Sequence, residues 1–455
     1  MQRARIVEIA ALTVAAVAAL AVAACACVSR NAEGDLPVPD RLSFTDNIRD
    51  FKCPINQDEN GARAFEPVDV LKKPDGGAVV SAFDWLENVK PRAKDFFARE
   101  IYGAPIPRPQ KLEFRLLESG DAPNAAAVRR QFKAVASNGS KVFAFDILVY
   151  IPKNARGKVP VFVSPNFYGN HAFWSDSAVA LPDYKLHFSP KMGIGEDGLA
   201  KDSQRGVAAC KNPVDDIVSR GYAIATFCYE QVCSDTDGDA AHGVYNIYDF
   251  PENEKPAIRA WAWANSRVLD LLQTLPEIDA AKVAVIGHSR LGKTAIYSGV
   301  FDERFAAVIS NDSGCFGAAP SRRNFGENVS SITRRFGYWF LPAAAKYAGR
   351  EGDMPFDQPH LLACVAPRPL KVASASRDFW ADPRGEYLSL LEASKIYALF
   401  GCERLPKGAA VFVERPFSGD VAHHVREGKH DITKYDWDAN MDWLDGVFGR
   451  GAGEK

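Results

Sequence analysis

The stretch Val283-Ala284-Val285-Ile286-Gly287-His288-Ser289-Arg290-Leu291-Gly292-Lys293-Thr294-Ala295 decides the fold. An apolar run makes a short strand, a glycine breaks it, and the residues after Ser289 suit a helix. A strand that turns so sharply into a helix lifts the serine hydroxyl clear of the sheet and strains its backbone. The helix then aims its free N–H groups and positive dipole end at any oxyanion forming beside the serine. Ser289 is therefore read as a nucleophile, against the alternative that it only shapes a turn. The general form of such an elbow, Gly-x-Ser-x-Gly, is not met: Leu291 stands where the second glycine belongs, and Gly292 follows one place later.

Outward from the elbow, strands and helices alternate, which implies a mainly parallel sheet covered by helices on both faces, the α/β-hydrolase plan. Upstream come strand patterns at Leu112–Leu117, Val128–Val135 and Val142–Ile151, the last two joined by a hairpin turn at Asn138-Gly139, and a buried strand at Val159–Val163. The loop Ser164–His171 follows where hydrolases of this plan put a second oxyanion-hole loop; a plain polar turn is the alternative. Tyr222–Tyr229 reads as another strand, and Pro256–Leu275 as a helix whose Trp261 and Trp263 belong to the core. Downstream lie strands at Phe305–Ser310, Pro369–Ser376 and Ala409–Glu414 and helices at Glu386–Phe400 and Trp437–Phe448. A polar, arginine-rich insertion, Asn311–Leu361, reads as a lid or substrate wall.

That order places Ser289, then an acid, then a histidine at successive strand ends, as a hydrolase triad requires. Asp378 follows the strand ending near Ser376, and His430 follows the last strand. Two alternatives stay open. Asp312, just beyond Phe305–Ser310, competes as the acid, and His423 and His424 compete as the base.

The chain has 455 residues, 47% of them hydrophobic, and a formal net charge of −2, so it carries a large core and no electrostatic footprint for nucleic acid. Its nine cysteines show no Cys-x-x-Cys spacing, so neither a metal nor a redox cofactor is expected. Cys210, Cys228 and Cys233 either include a bridged pair or are free. Residues 1–28 combine Arg3 and Arg5 with an uncharged apolar run and read as an export signal. Val22-Ala23-Ala24-Cys25 resembles a bacterial lipoprotein cleavage box with Cys25 as the lipidated residue; a plain cleaved signal and an uncleaved anchor are the alternatives. Residues 29–46 are a linker and 47–450 the catalytic domain, in a periplasmic, outer-membrane or secreted protein expected to be a monomer.

The variant that the elbow does meet, Gly-x-Ser-Arg-x-Gly-Lys over Gly287–Lys293, resembles the glucuronoyl esterases, carbohydrate esterase family 15. So do Gly326–Trp339, Asp378–Glu386 and the Gly-x-His-Asp run ending at Asp431. The resemblance covers roughly Trp85–Phe448. It implies hydrolysis of esters between (4-O-methyl)glucuronate on xylan and lignin alcohols. Arg290, directly after the nucleophile, offers its N–H and guanidinium to the oxyanion, and Lys293 one turn on reaches sugar hydroxyls or is a solvated helix lysine; the resemblance assigns Glu327 and Trp380 to the uronate and favours His430 as base. Because the uronic acid is esterified, no carboxylate pairs with Arg290 until product forms, which leaves its charge for the transition state. The runner-up activity is an acetylxylan or other carbohydrate esterase, and the alternative of another class is a catalytically silent, glycan-binding lipoprotein.

Overall fold

The computed structural model describes residues 55–450 apart from 63–64, 125, 154, 240–242 and 406–412, all within one unit, Cys53–Lys455. The expected export signal with Cys25, the linker 29–46 and the domain start at 47 lie outside the described residues.

The strands are β1 (Lys111–Asp121), β2 (Ala127–Asn138), β3 (Lys141–Pro152), β4 (Val159–Val163), β5 (Ala223–Thr226), β6 (Ile278–His288), β7 (Ala307–Asn311), β8 (Leu370–Ala375) and β9 (Val421–Arg426). They form one sheet in the order β1-β2-β3-β5-β4-β6-β7-β8-β9. The first three pairings along it are antiparallel and the rest parallel. β4, β5, β7, β8 and β9 are buried at every position, as strands covered on both faces must be. The hairpin between β2 and β3 opens on paired Asn138 and Lys141, with Gly139 at φ 58° in the two-residue loop.

One face carries helices α1 (Ala257–Leu272), α2 (Arg290–Phe301) and α3 (Pro383–Leu399) over a core that includes Trp261 and Trp263, as their helical spacing predicts. The other packs α4 (Lys434–Val447) on Phe162, Tyr222 and Ile286 through Trp437 and Met441. The insertion after β7 is a packed wall: Trp339, Phe340 and Phe316 are buried in the core. Its Arg323 is paired with Asp382 and Glu59, and its Arg322 with Asp357, so these arginines hold the wall together.

The last strand departs from expectation. Residues 409–412 of the run Ala409–Glu414 lie outside the described residues, and Val413 only bridges to Val425, whereas β9 at Val421–Arg426 closes the sheet. Hydropathy hides β9 because its His-His-Val-Arg is polar, and two of these side chains, His424 and Arg426, find a buried partner. His424 Nε2 bonds Asp436 at 2.9 Å, and Arg426 Nε pairs with the same carboxylate at 3.0 Å. Cys210, Cys228 and Cys233 are all free thiols.

Candidate active site

Between β6 and α2 the chain makes one strained residue: Ser289 sits at φ 59°, ψ −125°. Gly287 permits the turn, since a Cβ there would lie 2.0 Å from the Leu291 carbonyl oxygen. The unusual glycine spacing has its reason in the next contact. Leu291 is buried in the core, while a Cβ on residue 292 would press to 3.0 Å on the Asn311 oxygen and the Ser313 Cβ. The helix therefore passes close to the end of β7 at Gly292, where the second glycine leaves room.

β8 and β9 end beside the same turn. His430 Nδ1 donates to Asp378 Oδ2 at 2.5 Å, and its Nε2 lies 2.9 Å from the Ser289 Oγ, in position to accept the hydroxyl proton. The Asp378 side chain is buried, whereas His430 is 38% exposed and open to a substrate. The structure thus brings Ser289, His430 and Asp378 into one chain of hydrogen bonds. It keeps His423 and His424 inside β9, where burial pushes their imidazoles down to about 3 and about 4.

Asp312 stands next to this chain without joining it. Its residue has φ 46°, it is buried, and neither carboxylate oxygen has a hydrogen-bond partner. Arg426 Nη2 is 3.5 Å away and His288 Nδ1 3.8 Å. Burial, reinforced by the charge of Asp378, raises its carboxyl well above the ordinary range. Ligating atoms of Asp312, Asp378 and His430 lie within 4.8 Å of one another. A cation there would have to displace the bond from His430 to Asp378.

His288, the residue before Ser289, lies against His430, with ring centroids 4.5 Å apart. Its Nδ1 bonds Asn311 Oδ1 at 2.6 Å, and burial and the neighbouring imidazole hold it well below its usual pKa. It is a neutral ring packed on His430.

Arg290 turns its guanidinium over the Trp339 ring, 4.8 Å from the centroid, and gives Nη1 to Asp235. Lys293, one helical turn after Ser289, is buried, donates Nζ to the Ser313 carbonyl and lies 3.8 Å from Glu327. Burial raises the Glu327 carboxyl above its ordinary value and Lys293 opposes that shift. Glu327 N donates to the Trp380 carbonyl at 2.9 Å, so the two expected uronate residues are adjacent through the main chain. Loop Ser164–Gly169 lines, with Ser289, Arg290 and His430, a cavity of about 240 Å³. Lys293, Glu327 and Trp380 are not among its lining residues. Asp235 was missed from sequence: Cys233-Ser234-Asp235-Thr236-Asp237-Gly238 reads as an ordinary polar turn, and no local signal singles it out.

A serine on a strained strand-to-helix turn, hydrogen-bonded through a histidine to a buried aspartate at the ends of parallel strands, defines a serine-type carboxylic ester hydrolase of the α/β-hydrolase fold. Residues 200–401 match the family of fungal glucuronyl esterases. A carbohydrate esterase from an unknown prokaryotic organism is 35% identical over 400 residues, 86% of this chain and 91% of the relative. The structure of a glucuronoyl esterase from Solibacter usitatus superposes with a TM-score of 0.80 at 34% identity, covering 86% of this chain and all of the other. A 4-O-methyl-glucuronoyl methylesterase from Wolfiporia cocos is 30% identical over 200 residues, 42% of this chain and 48% of the relative. The chain belongs to carbohydrate esterase family 15, the glucuronoyl esterases.

Proposed function

We propose that the chain cleaves esters of (4-O-methyl)glucuronate, such as those joining xylan to lignin alcohols, through an acyl-enzyme on Ser289. The observation that carries this reading is the continuous hydrogen-bonded chain from Ser289 Oγ through His430 to Asp378, with Arg290 directly after the serine. Ser289 Oγ attacks the uronoyl carbonyl carbon as its proton passes to His430 Nε2. Asp378 keeps Nδ1 protonated and stabilises the imidazolium. The tetrahedral oxyanion is met by the N–H of Arg290 at the start of α2 and by its guanidinium. Collapse expels the alcohol, which takes the proton from His430. A water, deprotonated by the same nitrogen, then splits the acyl-serine into the free uronic acid and Ser289.

Three features support a uronate as the acyl group. The relatives' names point to it, and Glu327 and Lys293 offer a carboxylate and an ammonium that suit sugar hydroxyls. Trp380, joined to Glu327 through the main chain, adds an aromatic residue of the kind that stacks on sugars. An exported, lipidated monomer is the accompanying reading, from the leader and Cys25. Purified protein assayed on benzyl glucuronate beside acetylated xylan tests the proposal. Hydrolysis of the first and not the second is expected. Activity only on the acetyl ester would transfer the chain to the runner-up class, and none on either would favour a glycan-binding protein.

A further inference from the structure

Asp235 is a buried carboxylate with an unusually full set of donors. Its Oδ2 accepts from Arg290 Nη1 and from the Tyr229 hydroxyl at 2.7 Å. Its Oδ1 accepts from Trp339 Nε1 at 2.6 Å and the Tyr338 hydroxyl at 3.2 Å, and its main-chain oxygen takes the Tyr338 hydroxyl at 2.9 Å. These donors come from three separate segments: the turn after β5, the start of α2 and the insertion wall. The ring that supplies Nε1 also lies under the guanidinium, and Phe336 stacks on that ring at 4.0 Å and 5°. The Asp235 side chain is 1% exposed, whereas Arg290 is 27% exposed, so the arginine faces the cleft while its partner is sealed behind it. Arg290 Nε is buried and has no hydrogen-bond partner, which leaves a donor uncommitted on the same group.

A carboxylate so constrained does two things to the cation it holds. It removes rotamer freedom from a long side chain that must meet a developing oxyanion at hydrogen-bond distance. It also offsets the arginine's charge. The ester substrate is neutral at its carbonyl, but the product is a carboxylate, and an unpaired guanidinium would bind that product by a bidentate, charge-assisted contact. With Asp235 already on Nη1, an incoming uronate must share the guanidinium with a second negative charge, so the acid leaves readily. We propose that Asp235 is a positioning residue that aims Arg290 at the ester carbonyl and weakens its hold on the acid product. This rests on the reading of Arg290 as an oxyanion donor.

The test compares wild type, Asp235→Asn, Arg290→Met and the double variant on benzyl glucuronate, with glucuronate as product inhibitor and 4-nitrophenyl acetate as a second substrate. Asp235→Asn is expected to lower kcat about ten- to a hundredfold with KM little changed, and to tighten inhibition by glucuronate several-fold. A role in folding alone would not tighten product binding. In the Arg290→Met background, removing Asp235 should change kcat less than about twofold, since residues that act through one another are not additive. Unchanged or weaker inhibition in Asp235→Asn, or a further tenfold loss in the double variant, overturns the proposal. Should Asp235→Asn not fold, the comparison of Arg290→Met with the double variant, where no charge is left unpaired, decides alone. If wild type cleaves only the acetate, the uronate reading has failed, and the non-additivity of kcat on that ester still tests the coupling.

Discussion

Two carboxylates lie beside His430, and exchanging each for its amide separates their roles. In Asp378→Asn the 2.5 Å bond to Nδ1 is kept in shape but loses its charge, and the amide no longer enforces the Nδ1–H tautomer. A histidine in the wrong tautomer cannot accept the Ser289 proton through Nε2, and losses of about ten-thousand-fold in kcat, roughly 5 kcal/mol, are typical of that change. Asp312→Asn should behave differently. Both Asp312 oxygens lack hydrogen-bond partners, and its nearest cationic atom is Arg426 Nη2 at 3.5 Å. Burial and the charge of Asp378 favour its neutral acid, which an amide matches in charge and shape. A loss below about tenfold is expected. The sign of its stability effect also follows. A carboxyl raised in the folded state binds more protons there than when unfolded, so its contribution falls as pH rises above the ordinary carboxylate value. Asp312→Asn should therefore flatten the decline of stability as pH rises above the ordinary carboxylate range. The assay is kcat on benzyl glucuronate at equal folded fraction, judged by circular dichroism, with urea midpoints across pH. A large loss confined to Asp312→Asn would refute the assignment of Asp378, and comparable partial losses would show that the two share the role.

Ser289→Ala should lower kcat about a million-fold yet still bind glucuronate by calorimetry, because only the nucleophile is removed while the backbone at φ 59° is kept. Lys293→Met and Glu327→Gln should each raise KM for the uronate ester and lower the melting temperature, since each leaves a buried partner 3.8 Å away without its counter-charge. The double variant should recover part of the stability but not the KM. Lys371 is a third case. Burial pushes its ammonium down to about 7, so the folded state binds fewer protons than the unfolded chain between that value and the ordinary lysine range. Its penalty is largest at low pH and fades as pH rises, so Lys371→Met should stabilise the protein more at pH 6 than at pH 10. Equal melting shifts at the two pH values would refute that account.

The alternation of apolar strands and amphipathic helices, the glycine break before Ser289 and the order Ser289, Asp378, His430 were all legible without coordinates. Each is a local property: apolar periodicity, a turn that only glycine fits, and the chain order of strand ends. The family's Gly-x-Ser-Arg-x-Gly-Lys run was legible for the same reason. The sequence favoured Asp378 over Asp312 and His430 over His423 and His424, but it held no distances among them. These are questions of distance across the sheet, and only the packed strands show Ser289, His430 and Asp378 in one hydrogen-bonded chain. β9 escaped because its histidines and arginine depress hydropathy, and Asp436, the partner of His424 and Arg426, lies on α4, beyond the strand. Asp235 escaped more completely. A buried carboxylate is recognised by the donors that surround it, and those of Asp235 arrive from Tyr229, Arg290, Tyr338 and Trp339, as far as 104 positions away along the chain. The elbow is written in adjacent residues, whereas the setting that fixes Arg290 exists only once the segments have packed together.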